Sequence, residues 1–381
     1  MTVERFDLVV VGAGPAGAAA ALHFKRSRPG ARVLLLDKAR FPRAKVCGDA
    51  VSAEGVDELE RLGARDAVRG YHPVTAMRVR SAGGREVTGA PPGAAYVVPR
   101  EVLDARLVAL AVAAGVELRR RRVRELASTG TGVLVDGSLA AAVLVGADGA
   151  NSVVRRLAGV PAAPAAHTAI ALRGYASAPR RAGELYLAWT DGGLTYAWSF
   201  PAGGDRVNAG FVLPLVRLHG GRAALLEELR RHLPDVDCDP ATLKAHHLPL
   251  SSARPVPYRG RVLLAGDAAS LVNPLTGEGI YYGLASGRLA AEAALANPDR
   301  AGPRYARLLR DELGRHFRHT ALLGRLAAWP RATDLLVTAA SDPAVLHDVG
   351  AIAFGKGVVT LRLASGVAGG WLRQHLRGGV R

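Results

Sequence analysis

An α/β fold is predicted: a Rossmann-like parallel-sheet domain, interleaved with an antiparallel-sheet domain and followed by a helical C-terminal segment. Three observations carry this. Gly12-Ala13-Gly14-Pro15-Ala16-Gly17 follows the apolar run Phe6 to Val11 and opens an Ala-rich helical stretch. Gly146-Ala147-Asp148-Gly149 closes a second apolar run, Ala140 to Val145, and Gly266-Asp267 closes a third, Arg261 to Ala265. Residues 166–254 alternate apolar stretches with Gly-rich turns, as antiparallel strands do.

Taken in order, Phe6 to Val11 is a buried strand. Gly12 permits the tight turn after it, Gly14 lets backbone approach a pyrophosphate, and Gly17 lets the helix pack closely on the strand. Pro15 and Ala16 begin that helix, whose free N–H groups and positive dipole end suit a phosphate. Arg32 to Leu36 is the second strand, with Asp37 at its end to take a ribose hydroxyl pair and Lys38 beside it. A helix follows near Ser52 to Leu62. Thr75 to Arg80 and Arg85 to Thr88, joined by Ala82-Gly83-Gly84, read as a hairpin. Arg100 opens a helix ending near Ala114, followed by strands near Val116–Leu118, Val133–Asp136 and Leu139–Val145. Arg222 to His232 is an amphipathic helix, and Arg261 to Leu295 returns the chain to the first domain. The C-terminal 80 residues are helical in composition, broken at Pro330 and Pro343. The expected division is 1–73, 96–165 and 255–296 for the nucleotide domain, 74–95 and 166–254 for the substrate domain, and 297–381 for the helical region.

An acid at Asp37 favours the unphosphorylated ribose of FAD or NAD. The later segments select FAD. An NAD dehydrogenase does not need a distant Gly-Asp at a strand end, whereas a flavin nucleotide has a ribityl chain for Asp267 to reach. Asp148-Gly149 adds a third contact loop. Gly277, Gly279 and Ile280, within Asn273-Pro274-Leu275-Thr276-Gly277-Glu278-Gly279-Ile280, bring a helix N-terminus against the flavin ring. That dipole would stabilise negative charge on the reduced ring. A helix N-cap role for Asp267 is compatible with this. The set resembles the two-domain FAD enzymes related to para-hydroxybenzoate hydroxylase.

Two further segments narrow the resemblance. Phe41-Pro42-Arg43-Ala44-Lys45-Val46-Cys47-Gly48-Asp49 follows the acid-ended strand, and Tyr196-Ala197-Trp198-Ser199-Phe200-Pro201 lies mid-chain. Lys-x-Cys-Gly paired with Tyr-x-Trp-x-Phe-Pro is similar to the geranylgeranyl reductase family, over about residues 5–300. The resemblance implies an FAD enzyme that saturates isoprenoid double bonds in lipids, quinone tails or diphosphates. It implies hydride transfer from flavin, with NADPH, NADH or a protein donor as reductant. It places Lys45, Cys47 and Gly48 by the flavin, Arg100 by the FAD phosphates, and Cys47, Tyr196, Trp198 and Phe200 around an apolar slot. The thiol is then a candidate for gating or proton delivery. The Tyr196/Trp198/Phe200 alternation is also what a half-buried strand shows, Arg100 also reads as a helix-surface residue, and Cys47 also reads as a small buried hydrophobe. One departure stands out: the family has Pro three residues before the Tyr, where this chain has Gly193, after Asp191-Gly192. A flexible pair there would reshape the pocket entrance.

The alternative reading is an FAD monooxygenase acting on an aromatic or polyketide product, which shares every FAD motif. A membrane-associated binding flavoprotein is a third. Halogenases of this fold use Trp-x-Trp-x-Ile-Pro, which this chain lacks, and no Lys occurs between Lys45 and Lys244.

Composition bounds the rest. A chain of 381 residues exceeds one ordinary core and suits two domains. The formal charge is +17, but the arginines are scattered and no nucleic-acid motif accompanies them, so no nucleic-acid partner is expected. Such a surface suits a diphosphate or an anionic membrane. Cys47 and Cys238 lack metal-ligand spacing, and His246-His247 is a pair without further ligands, so no metal is expected. Without a signal peptide or a long apolar run, a cytoplasmic protein is expected. The segment Lys356 to Arg381, mixing arginines with Trp371, suits peripheral membrane contact as well as a closing helix.

Overall fold

The computed structural model describes residues 3–181, 183–190, 193–254, 256–329 and 331–378, with side chains described to residue 369. β1 (Glu4–Val11), α1 (Pro15–Ser27) and β2 (Val33–Asp37) form the opening unit. All five residues of β2 are buried, which is why Val33 to Leu36 is a continuous apolar run rather than an alternating one, closed by Asp37. β3 (Ala50–Val51) precedes α2 (Ala53–Arg61), whose N-cap Ser52 accepts the Gly55 N–H. β4 (Met77–Arg80) and β5 (Glu86–Gly89) are the expected hairpin, and β6 (Tyr96–Val97) pairs back on β3.

After α3 (Arg100–Ala113) come β7 (Glu117–Arg120), β8 (Leu126–Thr129), β9 (Gly132–Val135) and β10 (Leu139–Gly146). β8 was not foreseen: three of its four residues are exposed, so it has no apolar periodicity to read. α4 (Val153–Leu157) leads to β11 (Thr168–Ser177), β12 (Leu185–Trp189), β13 (Tyr196–Pro201) and β14 (Arg206–Pro214). Then follow α5 (Gly221–His232), β15 (Lys244–Pro249), β16 (Tyr258–Arg259) and β17 (Val262–Leu264). The chain closes with α6 (Ile280–Ala296), α7 (Ala301–Leu326), α8 (Ala332–Ala339), α9 (Pro343–Phe354) and α10 (Leu361–Gly378). The side chain of Trp371 lies outside the described residues, as do Asp191 and Gly192.

The first sheet runs β16-β17-β10-β1-β2-β7, with β9 and then β8 attached beside β10. β17, β10, β1, β2 and β7 are parallel. Val11 pairs with Gly146, and Gly146 with Leu264. The three Gly-bearing loops therefore leave the same edge of the sheet, the carboxyl edge where such sheets bind ligands. One expectation needs correction. Gly266-Asp267 does not start an α-helix: it forms one 3₁₀ turn, Gly266–Ala269, which Ser270 ends in the left-handed region at φ +54°. The long helix begins only at Ile280.

The second sheet runs β15-β11-β14-β13-β12-β4-β5. Its strands come from two separate stretches of chain because β4 adds parallel to β12. One face packs on α5 through Leu225 and Leu229, together with Ala197 and Phe211. The other presents Trp189, Tyr196, Trp198 and Phe200. Among the described residues no helix is long and apolar enough to cross a membrane.

Candidate functional site

A cavity of about 430 Å³ lies where the loop-bearing edge of the first sheet meets the aromatic face of the second. Gly12, Gly14, Pro15, Ala16, Asp37, Lys38, Lys45, Cys47, Gly48, Arg100, Asp148, Gly149, Tyr196, Trp198, Phe200, Gly266, Asp267, Gly277, Gly279 and Ile280 all line it. Gly17 does not. It lies under the cradle, where an added Cβ would fall 1.7 Å from the Gly12 carbonyl oxygen. Gly12 itself has φ +98°, and its Cβ would meet the Ala147 oxygen at 2.3 Å.

These contacts test whether a dinucleotide fits. The α1 N-terminus has no side-chain cap, so its first-turn N–H groups face the cavity beside Gly14. Asp37, at the end of β2, accepts the Ala13 and Ala39 N–H groups at 2.8 Å each, tying the acid to the glycine loop. Terminal nitrogens of Arg100 and Arg43 stand over Gly14. Arg100 is fixed by a bidentate pair with Asp104, at 2.7 and 2.9 Å. Burial pulls the Arg100 guanidinium down in pKa, but the Asp104 charge more than offsets it and keeps the cation. Arg43 Nη1 lies 3.2 Å from Asp104 but out of hydrogen-bonding alignment, leaving a buried donor without a protein acceptor. A glycine cradle, open helix N–H groups and the unsatisfied Arg43 donor fit a diphosphate. Asp148 is less available: its carboxylate accepts from Ser152 and from the Val153 and Val154 N–H groups, capping α4.

The Lys-x-Cys-Gly segment is held against the second sheet by Asn208. This fully buried amide donates to the Cys47 carbonyl at 2.8 Å and to Asp49 at 2.7 Å, and accepts from the Trp198 indole at 3.2 Å. Asp49, also fully buried, further accepts from Tyr175 and from the Arg100 N–H. Burial pushes the Asp49 carboxyl up, and the Tyr175 hydrogen bond resists that shift. Cys47 is half-buried and lines the cavity; burial pushes its thiol up, so it stays protonated at neutral pH. Tyr196, Trp198 and Phe200 share one face of β13, with neighbouring ring centroids 5.9 and 6.4 Å apart. Tyr196 donates to the Thr276 carbonyl, fixing the row to the Gly277–Ile280 segment.

Lys45 donates to His246 Nε2 at 2.7 Å, and that nitrogen lies 4.0 Å from Asp267. Burial pushes the Lys45 ammonium down to about 8 against the pull of Asp267. Burial, followed by the Lys45 charge, pushes His246 down, so the ring is neutral and accepts. Glu278, buried in the cavity wall, accepts the Tyr281 N–H at 2.9 Å, and burial pushes its carboxyl up to about 7. The C-terminal region completes the wall. Phe354 of α9 lines the cavity, Thr276 donates to the Ala353 carbonyl, and Asn273 donates to that of Ile352 at 3.2 Å.

Sequence reading missed His246, Asp49, Asn208 and Glu278 as site residues. His246 and Leu248, two apart on β15, both line the cavity, so period-2 alternation was a usable signal for the histidine. Asn208 has no local signal, because its partner carbonyl is 161 residues away.

Residues 5–175 match the family described as FAD binding domain. The chain is 33% identical to the menaquinone reductase of Mycolicibacterium smegmatis, covering 96% of this chain and 95% of that protein. It is 32% identical to digeranylgeranylglycerophospholipid reductase 2 of Methanopyrus kandleri, over 76% of this chain and 77% of that one. In fold it is similar to the crystal structure of a geranylgeranyl bacteriochlorophyll reductase-like protein from Thermoplasma acidophilum. The TM-score is 0.77 at 20% identity, covering 97% of this chain and 96% of that one. With its cradle, its Lys-x-Cys-Gly segment and its aromatic strand facing one cavity, the chain is an FAD-dependent oxidoreductase belonging to the geranylgeranyl reductase family.

Proposed function

We propose that this enzyme saturates isoprenoid carbon–carbon double bonds, with the tail of a polyprenyl quinone as the first candidate substrate and geranylgeranyl lipids or diphosphates next. The observation that carries the reading is the continuous row Tyr196, Trp198 and Phe200 forming one wall of the cofactor cavity. Such a row offers an extended apolar chain a dry, oriented seat. The similarity to a menaquinone reductase along nearly the whole chain supports the quinone tail.

FAD bound in the cavity would supply the hydride. The protein's own groups then have separate tasks. Gly12, Gly14, Pro15, Ala16 and Arg100 hold the diphosphate, with Gly17 packed beneath them and Asp37 and Lys38 on the adenosine side. Asp267 meets the ribityl hydroxyls. Gly277, Gly279 and Ile280 present backbone to the ring, with Asp148, Gly149, Gly266, Lys45 and Gly48 completing the enclosure. The Cys47 thiol holds a proton on the cavity wall, and the aromatic row excludes water from the alkene. The domain assignment follows: residues 1–73, 96–165 and 255–296 carry the cofactor, 74–95 and 166–254 roof it, and 297–381 close it. The protein is assigned to the cytoplasm, with peripheral membrane contact through the basic C-terminal region.

The test is an anaerobic single turnover. Dithionite-reduced protein is mixed with menaquinone, a geranylgeranyl lipid or geranylgeranyl diphosphate, so the result does not depend on whether NADPH, NADH or a protein donor is the reductant. Flavin reoxidation without O₂ is expected, with a product two hydrogens heavier whose added hydrogens lie in the isoprenoid chain and persist after any quinol is reoxidised to quinone. Reoxidation only on admitting air, with oxygen incorporated into an aromatic substrate, would replace the reductase with a monooxygenase.

A further inference from the structure

We propose that the outward face of the C-terminal half of α7 is a docking surface for an anionic lipid bilayer. The proposal rests on the reading that the substrate is a membrane-resident isoprenoid, and it names the contact by which the protein would reach one. Arg315, Arg318, Leu322, Arg325, Leu326 and Trp329 recur at helical spacing and are all exposed, so they share one face of α7 and its closing turn. Leu322, Leu326 and Trp329 are 54%, 53% and 61% exposed. Single exposed apolar residues are ordinary; three on successive turns of one helix face call for an occupant.

Charge identifies that occupant. Between Leu313 and Thr333 the chain has four arginines and no Asp or Glu. Arginines interspersed with exposed leucines and a Trp on one helix face suit the surface of an anionic membrane, the cations at the headgroups and the apolar side chains beneath them. From Leu322 to Trp329 the rise is about 10 Å, the length of the apolar strip that would lie along the bilayer surface. A second copy of the chain is a poorer occupant, because a two-fold contact on this face would set its arginines against their own equivalents.

The position of the face supports the assignment. Its reverse side packs inward, with Leu323 and Ala327 against the apolar cluster containing Leu275. The Ala327 carbonyl accepts the Gly193 N–H at 2.6 Å, three residues before Tyr196. A Cβ on Gly324 would lie 3.4 Å from the Pro274 carbonyl oxygen, two residues before the cavity-lining Thr276 and Gly277. The surface is thus backed directly by the two segments that carry the aromatic row and the cavity wall. This differs from contact through the Lys356–Arg381 tail.

The test is flotation of FAD-loaded protein with phosphatidylcholine vesicles, with and without about one-third phosphatidylglycerol. Wild type should float with the anionic vesicles and bind neutral ones at least tenfold more weakly. The exposed triple variant L322Q/L326Q/W329Q should lose at least tenfold in binding, and R315Q/R318Q/R325Q should lose the anionic preference and its salt sensitivity. W329F, the conservative change, should remove quenching of intrinsic fluorescence by brominated lipid, whereas W371F should not. No flotation of wild type, or equal flotation of the variants, would overturn the assignment. So would a solution dimer abolished by the triple variant. Single turnover on a short, water-soluble isoprenoid diphosphate separates the two readings. If all variants turn it over while only the face variants lose vesicle binding, both stand; vesicle binding without any alkene saturation would sink the substrate reading alone.

Discussion

Cys47 and Glu278 line one cavity, and burial pushes the pKa of both up for the same reason: it penalises the anion. They differ in what a substitution should reveal. Cys47→Ser keeps a hydroxyl of similar reach, so the cofactor should still be reduced at close to the normal rate. Product formation should fall at least tenfold if the thiol serves the alkene step, and rapid-mixing kinetics of the two half-reactions would separate these. Equal loss in both would make Cys47 a packing residue. For Glu278 the readout is stability. Its carboxyl rises from 4.5 to about 7 on folding, so its contribution is complete below pH 4.5 and is lost as pH climbs through 7. Full ionisation would cost about 3 kcal/mol as an order of magnitude. Glu278→Gln should therefore lose less thermal stability than wild type between pH 5 and 7.5, by a few degrees in Tm, and identical slopes would show that the carboxyl is already solvated. Lys45, depressed only to about 8, adds little change within that window.

At the scale of elements, the glycine loop between β1 and α1 separates a folding role from a binding role. An Ala at 17 drives its Cβ to 1.7 Å from the Gly12 oxygen, whereas an Ala at 14 meets nothing closer than the Arg100 terminal nitrogen at 3.6 Å. Gly17→Ala should therefore leave little soluble protein. Gly14→Ala should fold with an apo Tm within about a degree or two of wild type but bind FAD at least tenfold more weakly. Thermal melts and flavin titration of the apoprotein would check both. This loop was legible in the sequence because its steric demands are local: six residues, one strand before and one helix after. β13 was legible as well, since Tyr196, Trp198 and Phe200 face one way while Ala197 faces α5. The 3₁₀ turn at Gly266 was not, because a Gly-Asp after a strand looks the same whether a helix or a single turn follows. The exposed β8 has no pattern to read, and the role of Asn208 depends on a carbonyl brought to it only by the folded second sheet.

Across the whole molecule, Arg288 of α6 binds together segments from both ends of the chain. It donates to the fully buried Glu58 of α2, to Glu292 at 2.7 Å, and to Glu312 of α7 at 2.8 and 3.0 Å. Removing the cation leaves the buried Glu58 with only the exposed Arg61, 3.1 Å away, as charge partner, a loss of at most about 3–5 kcal/mol. Arg288→Met should show that loss in urea denaturation, and adding Glu58→Met should recover most of it. Only the Glu292 contact, four residues on along the same helix, is local in sequence; Glu58 and Glu312 are 230 and 24 residues away, so the cluster as a whole has no sequence signal.

The wall formed by Phe354, with the Ala353 and Ile352 carbonyls that accept from Thr276 and Asn273, comes from chain synthesised after the segments it covers. The parallel sheet, its glycine loops and α6 all precede it in synthesis. Every residue of the nucleotide cradle is thus on the chain before the residues that supply this wall are made, so the packing of α9 comes after the cradle in the order of synthesis.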